Sequence, residues 1–113
     1  MKSYTDIEQS KKLAKILPLE TADMWYGNED PYKITIGKWK DTEHDEDDIP
    51  CWSLAALLDI LQLPSLVQDK ADNKLFWQCS IYDEYGTAYK TYDNNPVDTC
   101  VAMIETLHEL KML

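Results

Sequence analysis

The chain has 113 residues, 44% of them apolar and 28% charged, which fits one globular domain and excludes disorder along its whole length. Asp and Glu number 21 against 11 basic residues, all Lys, and the net charge of -10 disfavours direct contact with nucleic-acid phosphates or an anionic membrane surface. The three cysteines, Cys51, Cys79 and Cys100, are odd in number and widely spaced, so they define neither a disulfide framework nor a zinc motif.

The first predicted element is a helix. Thr5 to Glu8 has capping-box form, and Ile7, Leu13, Ala14, Ile16 and Leu17 supply an apolar face up to Pro18. Lys11, Lys12 and Lys15 fall late in it, where positive charge suits the helix dipole. Residues 21–26 read as a short helical turn that carries Met24 and Trp25 inward. The cluster from Gly27 to Pro31 is a turn, and Tyr32, Ile34 and Ile36 then alternate with Lys33 and Thr35 as a half-buried strand.

Residues 40–48 read as an acidic loop. Ser53 follows as an N-cap, with Trp52 before it and Leu57 four positions into the helix, the arrangement of a hydrophobic staple. Leu54, Leu57, Leu58 and Leu61 continue that helix to Pro64. Residues 65–73 read as a connector. Leu75, Trp77, Cys79 and Ile81 line one face of the next strand, Asp83 to Gly86 form a hairpin turn, and residues 87–92 return as a Thr- and Tyr-rich strand. Asn95 and Pro96 open the last helix, whose stripe runs Val97, Cys100, Val101, Ile104, Leu107 and Lys111, widened by Met103 and Leu110.

The expected fold is a single α+β domain over residues 1–113 in the order α-β-α-β-β-α. A small antiparallel sheet, made of the C-terminal hairpin plus one further strand, is covered by three helices. No stretch of 18 apolar residues exists, so no transmembrane helix is expected, and the polar N-terminus lacks the apolar run of a signal peptide. The expected location is cytoplasmic.

Few residues suggest chemistry. The acidic run Asp41, Glu43, Asp45, Glu46, Asp47 and Asp48 fails as a calcium-binding EF-hand loop, because its sixth position is Glu46 and its twelfth is Trp52. A solvated loop or a docking patch for a basic partner accounts for it. His44 and His108 form no recognisable pairing with a nucleophile, and three glycines cannot build a phosphate-binding loop. No catalytic, cofactor or metal residue is therefore assigned. The aromatics Tyr26, Tyr32, Trp39 and Tyr85, together with the acidic run, are the candidate protein-docking surface, since Tyr and Trp favour interface centres.

Three segments carry a resemblance. Thr-Ala-Asp-Met at 21–24, Trp-Ser-Leu-x-x-Leu-Leu at 52–58 and Pro-x-Asp-x-x-x-x-Met-Ile at 96–104 resemble, in this order, an uncharacterised family of short proteins from gut bacteria and their phages. The C-terminal third also resembles a phage domain in which helices sandwich a hairpin, on Trp77, Gly86, Pro96 and Ala102. The resemblance implies a phage or mobile-element origin and no activity. The function expected is that of a small acidic, non-catalytic binding or accessory protein that acts on an unknown protein partner. A DNA-mimicking inhibitor of a host nucleic-acid enzyme and an enzyme of unknown class are the alternatives.

Overall fold

The protein was analysed as a computed structural model, which describes residues 2–27, 33–39, 47–62 and 64–113. Within them the elements run α1 (Ile7–Ala14), a 3-10 turn (Leu19–Thr21), β1 (Met24–Tyr26), β2 (Ile34–Ile36), β3 (Ile49–Cys51), α2 (Leu54–Ile60), β4 (Ser65–Ala71), β5 (Lys74–Tyr82), β6 (Ala88–Asp93) and α3 (Pro96–Glu109). The α+β class holds. The single sheet and the element order do not, because there are two three-stranded antiparallel sheets, ordered β2-β1-β3 and β4-β5-β6.

Each departure has a local cause. The helical turn expected at 21–26 is split between the 3-10 turn and β1, in which Met24 pairs with both Ile36 and Cys51. Three-residue strands are too short to display the alternation from which strands are read. The connector expected at 65–73 is β4, paired with β5 from Ser65 opposite Ser80 to Ala71 opposite Lys74. Asp72 and Asn73 close this hairpin with φ of 50° and 65°, the left-handed pair of a type I′ turn. Asp and Asn tolerate that region better than other side-chain-bearing residues, so no glycine marks the turn.

The caps show the same mixture. Asp6, not Thr5, caps α1: its carboxylate accepts from Gln9 N–H at 2.8 Å, and Gln9 Oε1 accepts from Asp6 N–H at 3.1 Å. The capping box thus lies one residue later than the Thr5–Glu8 reading, and Thr5 goes to the interior. The second helix starts as expected, with Ser53 Oγ accepting from Ala56 N–H at 3.1 Å and both Trp52 and Leu57 fully buried. At α3, Asn95 accepts from Asp98 N–H at 2.8 Å and Pro96 occupies the first turn. Lys111 is no part of the buried stripe. It has φ 59° beyond the helix, where its N–H and that of Met112 bond the carbonyls of His108 and Leu107 as a left-handed cap.

The third helix packs on β5 and β6, α2 packs on α3, and α1 packs on β3. The main core joins Leu13, Trp52, Leu57, Cys79, Cys100 and Ile104, and a smaller cluster holds Met24, Tyr26 and Cys51. Thr5 ties the two together. Its N–H donates to the Trp52 carbonyl (3.0 Å), its hydroxyl accepts from Trp52 N–H (3.2 Å), and its carbonyl accepts from the Tyr26 hydroxyl (2.7 Å). A buried threonine can be accommodated only when its polar groups are satisfied in this way.

Candidate functional site: an open sheet face

Side chains alternate across a strand, so the register of β4-β5-β6 sorts its residues into two faces. One face, with Cys79, Ile81, Thr91 and Tyr89, lies against α3. The other carries Val67 beside Gln78 and Tyr92, Phe76 beside Asp69, and Tyr82 beside Ala88. On this second face Phe76 and Gln78 are half-buried and Ser80 is buried, and the remaining apolar side chains are exposed. Val67, Tyr82 and Tyr92 keep 52%, 62% and 56% of their surface in solvent. The Phe76 and Tyr92 rings meet edge to face at 5.8 Å, which holds both in place without help from another layer. Gln78 donates to Ser80 Oγ at 2.9 Å across the middle of the face.

The charge of this face differs from the net charge of the chain. Lys74 and Lys90 stand on it against Asp69 alone, a balance of +1 in a protein of -10. Both ends of the sheet are acidic, with Asp72 in one turn and Asp83 and Glu84 in the other. Asp83 is fixed by its own hairpin: Oδ1 accepts from Tyr85 N–H and Thr87 N–H, each at 2.9 Å, and Oδ2 accepts from the Tyr89 hydroxyl at 3.1 Å. These bonds, those from the backbone first, hold the Asp83 carboxyl below the usual carboxylate range. The rigid turn leaves Tyr85, just past the strand end that carries Tyr82, 86% exposed.

Of the residues expected to form a docking surface, five lie among the described residues, and they occupy different surroundings. Tyr26 is buried, because β1 turns it into the smaller core cluster, and burial pushes its hydroxyl above the ordinary phenol range. Trp39 packs against the main core. Tyr85 and Asp47 are exposed and Asp48 is half-buried. Tyr32, Asp41, Glu43, Asp45 and Glu46 lie outside the described residues. The sequence alone does not group Val67, Tyr82 and Tyr92, since residues 65–73 read as a connector and Val67 then has no face. The exposed side of β6, with Lys90 and Tyr92 alternating against Tyr89 and Thr91, was the signal at hand.

The groups that suggest chemistry lie elsewhere and are engaged. All three thiols are buried and unbridged. Burial raises the Cys51 thiol, and hydrogen bonding to Cys79 followed by burial raises that of Cys100, so neither favours the nucleophilic thiolate. His108 is exposed near the end of α3. A cleft of about 490 Å³ lies beside Glu20, Asp23, Lys38 and Asp59. Its Asp23 carboxylate is committed to Ser53, accepting from both its N–H (2.9 Å) and its hydroxyl, and Ser53 in turn caps α2. Among the described residues no three His, Cys, Asp or Glu converge as metal ligands, and no helix is long and apolar enough to cross a membrane. No protein-family model, curated protein or solved structure matches the chain.

Proposed function

We propose that this is a small non-catalytic binding or accessory protein that acts through protein–protein contacts, made chiefly by the open face of β4-β5-β6. The carrying observation is that face: Val67, Tyr82 and Tyr92 exposed on a three-stranded sheet, with the half-buried Phe76 ring edge to face with Tyr92. Solvent-facing aromatic and β-branched residues clustered on a rigid element are what a binding surface offers, and they serve no purpose in the core. The engagement of Ser53 in a cap and the burial of the thiols support a non-catalytic role. The three segments that resemble proteins of gut bacteria and their phages support a phage or mobile-element origin, and a bacterial protein as partner.

The DNA-mimic alternative has less support. The described carboxylates are distributed over α1, α2, α3, the turns and the β4-β5-β6 sheet, where a phosphate mimic needs them in two rows.

The test is capture from a bacterial lysate with tagged full-length chain, in parallel with Tyr82→Lys/Tyr92→Lys and with a variant neutralised at acids 41–48. A partner recovered by wild type and lost with the double lysine variant supports the reading. Equal recovery by wild type and the double variant, or no recovery, sinks it.

A further inference from the structure

We propose that Cys79 and Cys100 are an internal redox pair, which a peroxide converts into a disulfide that locks α3 onto the β4-β5-β6 sheet. The pair lies behind the docking face, on the other side of the same strands, and is independent of the role given to that face.

The packing of α3 on the sheet places the two thiols together. Cys79 in β5 and Cys100 in α3 are both fully buried in the main core cluster, where these two elements meet. Cys79 stands directly opposite Thr91 of β6, on the same face of the sheet. The Thr91 hydroxyl donates to the Thr99 carbonyl at 2.8 Å and lies 2.9 Å from the Thr99 hydroxyl. The cross-strand neighbour of Cys79 is thus tied to the chain neighbour of Cys100, and the helix backbone is held close enough to the sheet for short side chains to meet. The two thiols are hydrogen-bond partners of each other. That bond lowers the Cys79 thiol against the opposing effect of burial, and it raises Cys100. Cys51 is set apart from them in the smaller cluster, where its thiol donates to the Thr5 carbonyl at 3.4 Å.

The chemistry needs an oxidant that accepts two electrons, and hydrogen peroxide is one. The Cys79 sulfur, as thiolate, attacks one peroxide oxygen. The O–O bond breaks, and the departing hydroxide takes up the proton that Cys79 gave up and leaves as water, with a sulfenic acid remaining on Cys79. The Cys100 sulfur then attacks the Cys79 sulfur. The S–S bond forms, the S–O bond breaks, and the hydroxyl leaves with the Cys100 proton as a second water. The two sulfurs have lost two electrons and the peroxide has gained them. Cys100 is placed to act as the resolving thiol, because it already touches the sulfur that is attacked. Burial of both groups makes the reaction slow, since peroxide enters only when α3 opens locally from the sheet.

The test is treatment of the folded full-length chain with excess hydrogen peroxide, followed by alkylation and digestion without reduction. Trypsin cuts after Lys90, between the two cysteines, so their disulfide joins the peptide of residues 75–90 to that of residues 91–111. That joined pair is expected, with a fall in free thiols from three to one after denaturation. The closed loop restricts the unfolded chain, so the thermal midpoint should rise by roughly 10 °C and return when dithiothreitol is added. Cys51→Ala should form the same link and Cys100→Ala should form none. If either variant fails to fold, the peptide map of the wild-type chain decides alone. A link to Cys51, sulfinic acid at Cys79 without a link, three unmodified thiols after prolonged exposure, or a linked chain that melts no higher than the reduced one overturns the proposal.

Discussion

The two sheets of this protein are built and used in opposite ways. The β2-β1-β3 sheet consists of three-residue strands, and its central strand pairs with segments on both sides of the acidic run. It is held from outside itself: Cys51 and Tyr26 are anchored to Thr5, Trp25 lies over Gly37 with its ring 3.0 Å from where a Cβ would stand, and α1 packs on β3. The β4-β5-β6 sheet consists of longer strands joined by two tight hairpins, so its pairing is local and its register is set by the turns. One of its faces is anchored on α3, and the other keeps Val67, Tyr82 and Tyr92 exposed. A sheet whose pairing is secured by its own turns can leave a face open. A sheet of short strands cannot, because it has too little pairing to stand without packing.

The sharpest way to break this contrast is to damage one residue from each region. Trp52→Ala removes a fully buried ring that joins α2 to the core and donates to Thr21 at 2.9 Å, and should cost about 3–5 kcal/mol in urea or thermal unfolding. Tyr92→Lys on the open face should stay within about 0.5 kcal/mol. Comparable losses from the two would show that the open face contributes to the fold and is not available for docking.

A smaller effect probes how the N-terminus is tied to α3. Lys2 donates to Asp98 at 2.8 Å and to Asp6 at 3.0 Å, and Gln9 donates to Asp98 at 2.8 Å. Burial alone would raise the Asp98 carboxyl, but the hydrogen bonds from Lys2, Gln9 and Asn95 outweigh it and lower it from 3.8. Burial also opposes the shift at Asp6, where Gln9 N–H and Lys2 again prevail. A carboxyl depressed in the folded state stabilises fully above its unfolded value and loses that contribution as pH falls through the folded value. Stability should therefore decline below about pH 4. Asp98→Asn should be less stable at pH 7, by roughly 1 kcal/mol after allowance for solvent screening, and should show a shallower acid decline. Parallel pH curves for the two proteins would contradict the network.

The smallest expected effect concerns the independence of the second sheet. Asn73 has φ 65° in the β4–β5 turn, a conformation that glycine adopts without a side-chain clash, so Asn73→Gly should raise stability by up to about 0.5 kcal/mol. A clear loss in thermal unfolding would mean that the turn is not what fixes the register.

Legibility in the sequence followed the range of the interactions involved. The staple of Trp52 and Leu57 around Ser53, the Asn95–Pro96 start of α3 and the Gly86 hairpin were readable, because each is set by residues within a few positions of one another. Thr5 shows the limit. Its spacing to Glu8 suits a cap, but Asp6 with Gln9 makes the box, and the better use of Thr5 depends on Trp52 and Tyr26, which only the fold brings near. Val67 shows the same limit at the candidate site, since its exposure has meaning only once β4 is known to lie beside β5.

The sequence by itself determined the α+β class, the acidic charge, the starts of α2 and α3 and the apolar stripe from Val97 to Leu107. These follow from local sterics, capping and periodicity. Only the tertiary structure decided that the strands divide into two sheets, that Tyr26 is buried while Tyr92 is exposed, and that two lysines share a face with the exposed aromatics. Strand pairing is a contact between distant segments, and which side of a strand meets solvent depends on what packs against the other side.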